Sequence, residues 1–302
     1  MTDTSRKSRF CGGFRLLCVL GVFTWGIGQV WRDSFWLTGL FFYIPTPIIA
    51  LVLLFAAICS AFCRNFRYVV FFAALLLAPV YFLLCVENIC YRFDSNQPPG
   101  AYRAVHWNVI WGSRGWNAVR DKLDTLDADI YVLSEIPKYF SGSDFSAPYS
   151  LKPGGDIAVV SRFPLTLRKG YRQGRMRAYL ILWEPPGKEI LILIADLPSS
   201  IRIHRHPMLS RLREILSSTK ASLLIGDLNA PRRSTALSDL PPGFDHAYQS
   251  VGYGWSYTWP SYFPVFAIDQ CVHGPGIEPV AYQLEFTPLS DHGIQIFDFD
   301  IE

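Results

Sequence analysis

Cysteine is scarce where it would carry chemistry. Of the seven cysteines in these 302 residues, Cys11, Cys18, Cys59, Cys63, Cys85 and Cys90 all precede residue 92, and only Cys271 follows it. A single thiol excludes a cysteine-rich zinc site and a disulfide-dense scaffold from the larger part of the chain. One Cys90–Cys271 bridge remains open to it, beside the plainer reading of the early cysteines as small apolar packing residues.

A basic excess is also missing. Residues 1–92 hold 8 Lys/Arg and 3 Asp/Glu, which leaves 20 cations and 22 anions for the remainder. That balance of −2 lacks the electrostatic footprint of a protein that lives on duplex nucleic acid. The local exception is Arg168, Lys169, Arg172, Arg175 and Arg177, readable as a solvated hairpin or as a patch facing phosphates or lipid headgroups. Internal repeats and low-complexity tracts are absent as well.

Charge of either sign nearly vanishes from three early stretches, residues 16–31, 35–62 and 68–86. A helix needs roughly 20 apolar residues to cross a hydrocarbon core, so the spacing predicts about three spans. Gly21, Gly26 and Gly28 weaken the first. Pro45 and Pro47 should kink the second or leave its beginning in the interface. The cations before the first run resemble a signal peptide, but no Ala-x-Ala site follows and further spans do. Arg6, Lys7, Arg9, Arg15, Arg64 and Arg67 lie on one side of these runs, against Arg32 and Arg92 on the other. The positive-inside rule then places the N-terminus in the cytoplasm and everything after residue 92 beyond the inner or plasma membrane.

The expected organisation is a membrane domain over residues 1–91, a polar linker over 92–100 rich in turn formers, and a large domain over 101–302. In that domain residues 104–111, 130–133, 157–160 and 222–225 read as strands. Residues 178–183 and 190–194 read as a hairpin around Pro185-Pro-Gly-Lys188, and 116–126 and 207–218 as helices. Irregular alternation of this kind points to an α+β fold.

Polar residues gather at the ends of the apolar runs. Leu224-Ile-Gly-Asp-Leu-Asn-Ala230 carries Asp227 and Asn229, two residues apart and so expected on the same side of a strand. Ala104-Val-His-Trp-Asn-Val-Ile110 carries Asn108, Asp129-Ile-Tyr-Val-Leu-Ser-Glu135 ends on Glu135, Asp269 follows Ile268, and Ser290-Asp-His292 lies near the C-terminus. With Gly155-Asp-Ile-Ala-Val-Val-Ser-Arg-Phe-Pro164 between them, these motifs in this order resemble the endonuclease/exonuclease/phosphatase superfamily, the deoxyribonuclease-I-like fold, over roughly residues 101–302. The likeness is to membrane-anchored bacterial-type members.

The resemblance implies a four-layer α/β/β/α sandwich after the membrane helices, and a hydrolase of phosphate esters using Mg²⁺ or Mn²⁺. Glu135 would be the principal metal ligand, supported by Asn108 and Asp291. Asp227 would orient or deprotonate the attacking water, Asn229 would bind phosphate, and His292, oriented by Asp269, would stabilise the oxyanion or move a proton. The implied partners are a phosphate-ester substrate, either nucleic acid or a phospholipid or small phosphodiester, and a lipid bilayer; no protein partner is implied.

One position departs from the pattern. Where members usually have Thr-His-Leu, this chain has Ala195-Asp196-Leu197. Asp196 therefore gathers a second metal, works protonated, or marks lost chemistry and a silent fold kept for binding. His204 and His206 are candidates to replace the imidazole, against a plainer reading as loop histidines. Gly254-Trp-Ser-Tyr-Thr-Trp-Pro260 reads as core packing ahead of ligand stacking, and Arg232 and Arg233 as weak phosphate contacts.

Overall fold

The computed structural model describes residues 3–88 and 101–302, with side chains in the first stretch from Gly12 onward. Two compact units result, Met1–Asn88 and Ile89–Glu302. The expected linker at 92–100, and Cys90 with the bridge considered for it, lie outside the described residues, while Cys271 is buried.

Apolar composition makes the first unit helical. Helix α1 spans Asp3–Trp31, and Gly28 lets it meet the backbone of Phe41 and Phe42, where a Cβ would collide. Helices α2 (Trp36–Phe42) and α3 (Thr46–Phe62) meet at a 58° bend. Pro45 sits at the N-cap of α3 and Pro47 in its first turn, so the missing N–H groups fall where a helix has no use for them. Helix α4 (Phe66–Tyr81) contains Pro79 and continues as one π turn, Phe82–Glu87. Leu53, Ala56, Phe72 and Trp25 form the interior. Three polar side chains join in a chain there, as Trp25 Nε1 donates to Thr46 Oγ1 (3.2 Å), which donates to Glu87 Oε1 (3.0 Å). Gly12–Trp31 and Phe66–Glu87 are long and apolar enough to cross a membrane, and the bent α2–α3 pair raises the number to three if it counts as one span.

The second unit begins with β1 (Tyr102–Asn108), α5 (Trp116–Thr125), β2 (Ile130–Ser134), β3 (Tyr149–Gly154) and β4 (Ile157–Ser161). It continues through β5 (Leu165–Gln173), β6 (Met176–Trp183), β7 (Ile190–Asp196), α6 (His206–Thr219) and β8 (Leu223–Asp227). The short α7 (Thr235–Ser238), β9 (Asp245–His246) and α8 (Ala247–Val251) precede β10 (Asp269–His273), β11 (Ile277–Glu285) and β12 (Ile294–Ile301). The strands form two six-stranded sheets, ordered β11-β12-β1-β2-β4-β3 and β5-β6-β7-β8-β10-β9.

Strands β2, β4 and β8 are buried along their whole length, which is why they read as continuous apolar runs. Ile130, Val132 and Val159 of one sheet share a core with Ile181, Ile192, Ile194 and Ile225 of the other. Val119 and Leu123 of α5 cover the outside of the first sheet, and Leu209, Leu212 and Leu216 of α6 cover the second. The architecture is the expected layered sandwich of two mixed sheets between helices.

Each sheet contains one parallel pair joined through a helix, β1–β2 through α5 and β7–β8 through α6. The carboxyl ends of β1 and β2 therefore lie side by side, as do those of β7 and β8. Register pairs Asn108 with Ser134, Asp196 with Asp227, and Asp227 with Asp269 of antiparallel β10. Strand β1 stops three residues short of the expected 111, because Ile110 (φ 42°) and Trp111 (φ 57°) turn left-handed.

Candidate active site

Strand ends supply the site's side chains, and the turns just beyond them aim the remainder. Asn108, the last residue of β1, donates from Nδ2 to Asp227 Oδ2 (3.0 Å), and its Oδ1 accepts from the Ile110 amide (3.0 Å). Its carbonyl accepts from Ser290 Oγ (2.6 Å), and that oxygen in turn accepts from the His292 amide (3.1 Å). Serine 290 thus fixes the segment bearing Asp291 and His292 to the end of β1.

Asn229 does not reach Asp227's side by strand alternation, contrary to the expectation from spacing. Strand β8 ends at Asp227, and Asn229 is left-handed at φ 48°. An Asx turn relates the two, the Asn229 amide donating to Asp227 Oδ1 (2.9 Å), and Asn229 Nδ2 donates to the Leu197 carbonyl (2.8 Å). Glu135 is left-handed too, at φ 51°, immediately after β2. Non-glycine residues held there are strained, and such strain gathers where geometry is imposed on a site.

His292 and Asp269 form a buried dyad, with Nδ1 2.9 Å from Oδ2 and 3.2 Å from Oδ1. Burial by itself would depress the imidazole, but the charge and hydrogen bond of Asp269, with Asp227 and Asp291 adding, raise it to about 10. Asp269 is lowered in spite of its burial by the same pairing and by His106, whose Nδ1 lies 3.8 Å away. Burial pushes His106 itself down to about 4, against the opposing pull of Asp269. The other nitrogen of His292, Nε2, lies 4.0 Å from Asp227 Oδ2.

Asp227, Asp269 and His292 lie close enough together to suggest a metal site by proximity. With Nδ1 engaged by Asp269, His292 has only Nε2 left to face Asp227, an arrangement that suits proton handling.

The oxygen donors suited to a hard cation are next to it. Asp291 Oδ2 accepts from Trp259 Nε1 (3.1 Å), while Oδ1 is buried with no hydrogen-bond partner. Glu135 is raised by burial, with Asp291 and Asp156 adding and the Asn108 amide opposing. An orphaned carboxylate oxygen beside a raised glutamate is an excess of buried negative charge, which Mg²⁺ or Mn²⁺ bound by Glu135, Asn108 and Asp291 would neutralise.

Beside this set opens a cleft of about 540 Å³, lined by Glu135, Asp156, Asp196 and Asn229 on one side and Arg172, Arg175 and Arg177 on another, with Trp111 exposed at its rim. Three of the five clustered cations therefore line the cleft, while the β5 arm of the hairpin that carries them is largely solvated, as the solvated-hairpin reading has it. Asp196 is raised to about 7 by burial, then by Glu135, with Arg177 opposing. Burial and Asp269 raise Asp227 as well. The Pro198–Ser199 rim is tied down by Arg205, whose buried guanidinium donates to the Pro198 carbonyl (2.8 Å) and the Ser199 carbonyl (2.6 Å).

His204 and His206 do not line the cleft. Their rings stack at 5.9 Å where α6 begins, so neither supplies an imidazole beside Asp196. Arg232 lies over the Tyr248 ring at 4.3 Å. In the aromatic stretch Tyr257 is buried and Trp255 half-exposed, while Trp259 reaches Asp291, a contact that packing alone did not foretell. Asp156 and Ser290 stood inside quoted motifs, yet only the fold gives them a place. Trp259 belongs to the aromatic stretch singled out in the sequence, whereas nothing there distinguished Trp111 or Arg205.

Residues 105–292 match the sequence model of the Endonuclease/Exonuclease/phosphatase family. No curated protein matches the chain in sequence. Among solved structures, Danio rerio TDP2 in complex with a single-strand DNA product has a TM-score of 0.54 at 15% identity, covering 67% of this chain and 99% of its own. Truncated Caenorhabditis elegans TDP2 gives 0.52 at 18%, covering 68% and 100%. An endonuclease/exonuclease/phosphatase from Beutenbergia cavernae DSM 12333 gives 0.54 at 15%, covering 67% and 72%. At these identities the likeness is one of fold.

Proposed function

The chain belongs to the endonuclease/exonuclease/phosphatase family, and from that premise we propose that it is a membrane-anchored, divalent-metal-dependent phosphodiesterase whose second unit works outside the cytoplasm. Family and fold together support a hydrolase acting on phosphodiester bonds. The observation that carries the finer reading is the unpartnered, buried Asp291 Oδ1 beside Glu135 and Asn108, next to the Asp269–His292 dyad and Asp227.

A bound Mg²⁺ or Mn²⁺ would polarise the phosphate and offset its charge. The protein's own groups do the rest. Asp227, held by the Asn108 amide and the Asn229 backbone, orients the attacking water and takes its proton. Its burial makes it a stronger base than an exposed aspartate. Asn229, fixed by the Leu197 carbonyl, contacts a non-bridging phosphate oxygen. His292, positively charged and oriented by Asp269, presents Nε2–H to the developing oxyanion.

Two substrate classes fit, nucleic acid and phospholipid or small phosphodiester. TDP2 bound to a single-strand DNA product supports the first by analogy of fold, and the near-neutral charge with a membrane tether supports the second. Hydrolysis of bis(p-nitrophenyl) phosphate by the full chain in detergent, with Mg²⁺ and with excess chelator, tests the proposal. Metal-dependent turnover lost in Asp227→Asn supports it, and full turnover in chelator sinks it.

Asp196 favours a second reading, a catalytically silent fold kept for binding, because a carboxylate in the cleft repels phosphate when ionised. Absence of turnover on every phosphate ester offered would decide for it.

A further inference from the structure

Arg172 and Arg177 stand directly opposite each other in the antiparallel β5–β6 register. Like charges so placed repel. Elsewhere in this unit Arg103, Arg120, Arg162 and Arg211 each pair with a carboxylate, that of Asp298, Asp144, Asp129 and Glu214 respectively. Arg172 and Arg177 make no ion pair or hydrogen bond among the described residues, although both line the cleft. They also line a second hollow of about 350 Å³, with Gly154, Gly155 and Tyr179.

The hollow depends on glycine. Gly155 is left-handed at φ 62°, and a Cβ there would collide with the Arg177 guanidinium; one on Gly154 would press on the Tyr179 hydroxyl. Tyr179 lies two residues beyond Arg177 on the same face of β6 and lines the same hollow as the two arginines. Two forked cations and a hydroxyl donor around a concave wall match one tetrahedral oxyanion, which would also relieve the repulsion between them.

We propose that Arg172, Arg177 and Tyr179 bind a second, non-scissile phosphate of the substrate. The proposal rests on the reading that the scissile phosphate lies at the Glu135–Asn229 end of the adjoining cleft. The favoured substrates are then phosphodiesters that carry a neighbouring phosphate, from a nucleotide strand or from a lipid headgroup.

Turnover by the full chain with Mg²⁺, in detergent for the soluble substrates and reconstituted into the vesicles for the lipids, distinguishes the two sources. One arm compares the dinucleotide dTpdT with its 5′-phosphorylated form pdTpdT. The other compares phosphatidylcholine vesicles carrying phosphatidylglycerol with vesicles carrying cardiolipin, which has two phosphates. In one arm the wild type should prefer the two-phosphate substrate in kcat/KM by about tenfold or more, the size of one charge-assisted contact. Arg172→Gln, at an exposed position, and Tyr179→Phe, which keeps the packed ring, should each reduce that ratio towards one. A wild type without preference in both arms, or variants that keep the full ratio, would overturn the proposal. Calorimetric titration with pyrophosphate without metal reads the pocket independently of turnover. If the wild type hydrolyses nothing, the hydrolase reading fails, while the pocket stands if Arg172→Gln weakens pyrophosphate binding by about tenfold and falls if it does not.

Discussion

Asp196 and Asp227 are register partners at the ends of parallel β7 and β8, so two carboxylates lie side by side where the cleft begins. Both are raised by burial. Asp227→Asn is expected to abolish turnover by removing the base. Asp196→His, restoring the donor usual in the family, should leave activity equal or raise it by as much as roughly 100-fold, the scale of one oxyanion donor. Steady-state kinetics on bis(p-nitrophenyl) phosphate decide this, and collapse in Asp196→His would give the aspartate a role of its own.

Asp196 also sets a pH dependence. Its pKa rises from 3.8 to about 7 on folding, so the folded protein holds the proton more tightly. The associated stability is fully present below about pH 4 and is lost as pH climbs through about 7. Metal-free protein should therefore show a melting temperature that falls between pH 5 and 8, and Asp196→Asn should flatten part of that slope. An unchanged slope in the variant would remove Asp196 as its source.

Glu135→Ala is predicted to lower metal affinity and activity together. Glu135 lies outside β2 and is only partly buried, so the fold should survive. Calorimetric titration with Mn²⁺ beside circular dichroism separates loss of metal from loss of structure. Wild-type affinity in the variant would remove Glu135 as a ligand.

Gly226→Ala should be severe for its size. Gly226 has φ 155°, and a Cβ there would strike the Ala195 carbonyl of β7. The substitution forces β7 and β8 apart beneath Asp196 and Asp227, costing at least about 1 kcal/mol of stability and most of the activity. A melting temperature within error of wild type would contradict this.

Under the proposed topology, in which the cation asymmetry keeps the N-terminus inside and the bent α2–α3 pair counts as a third span, a reporter fused after Glu302 should behave as extracytoplasmic. Cytoplasmic activity of the fusion would require the α2–α3 pair to turn back within the bilayer instead of crossing it.

Legibility in the sequence tracked burial. Strands β2, β4 and β8 are covered on both faces and stand out as apolar runs, and α6 announces itself by period and by Pro207. Strand β5, exposed and rich in Lys and Arg at a sheet edge, carries no sustained apolar alternation and is legible only as part of a solvated hairpin. Chemistry at strand ends was visible as motifs, but its geometry was not. The positive φ of Glu135 and Asn229 leaves no mark on composition, and the Arg172–Arg177 opposition exists only once a register is set. Hence Asn229 was placed beside Asp227 for a reason the backbone does not follow.

Arg205 gives the cleft a property that its carboxylates lack. It clasps two successive carbonyls of one loop, donating from Nε to Pro198 and from Nη2 to Ser199. The adjoining Leu197 carbonyl receives Asn229 Nδ2, so one buried side chain splints the loop on which the candidate phosphate-binding amide rests.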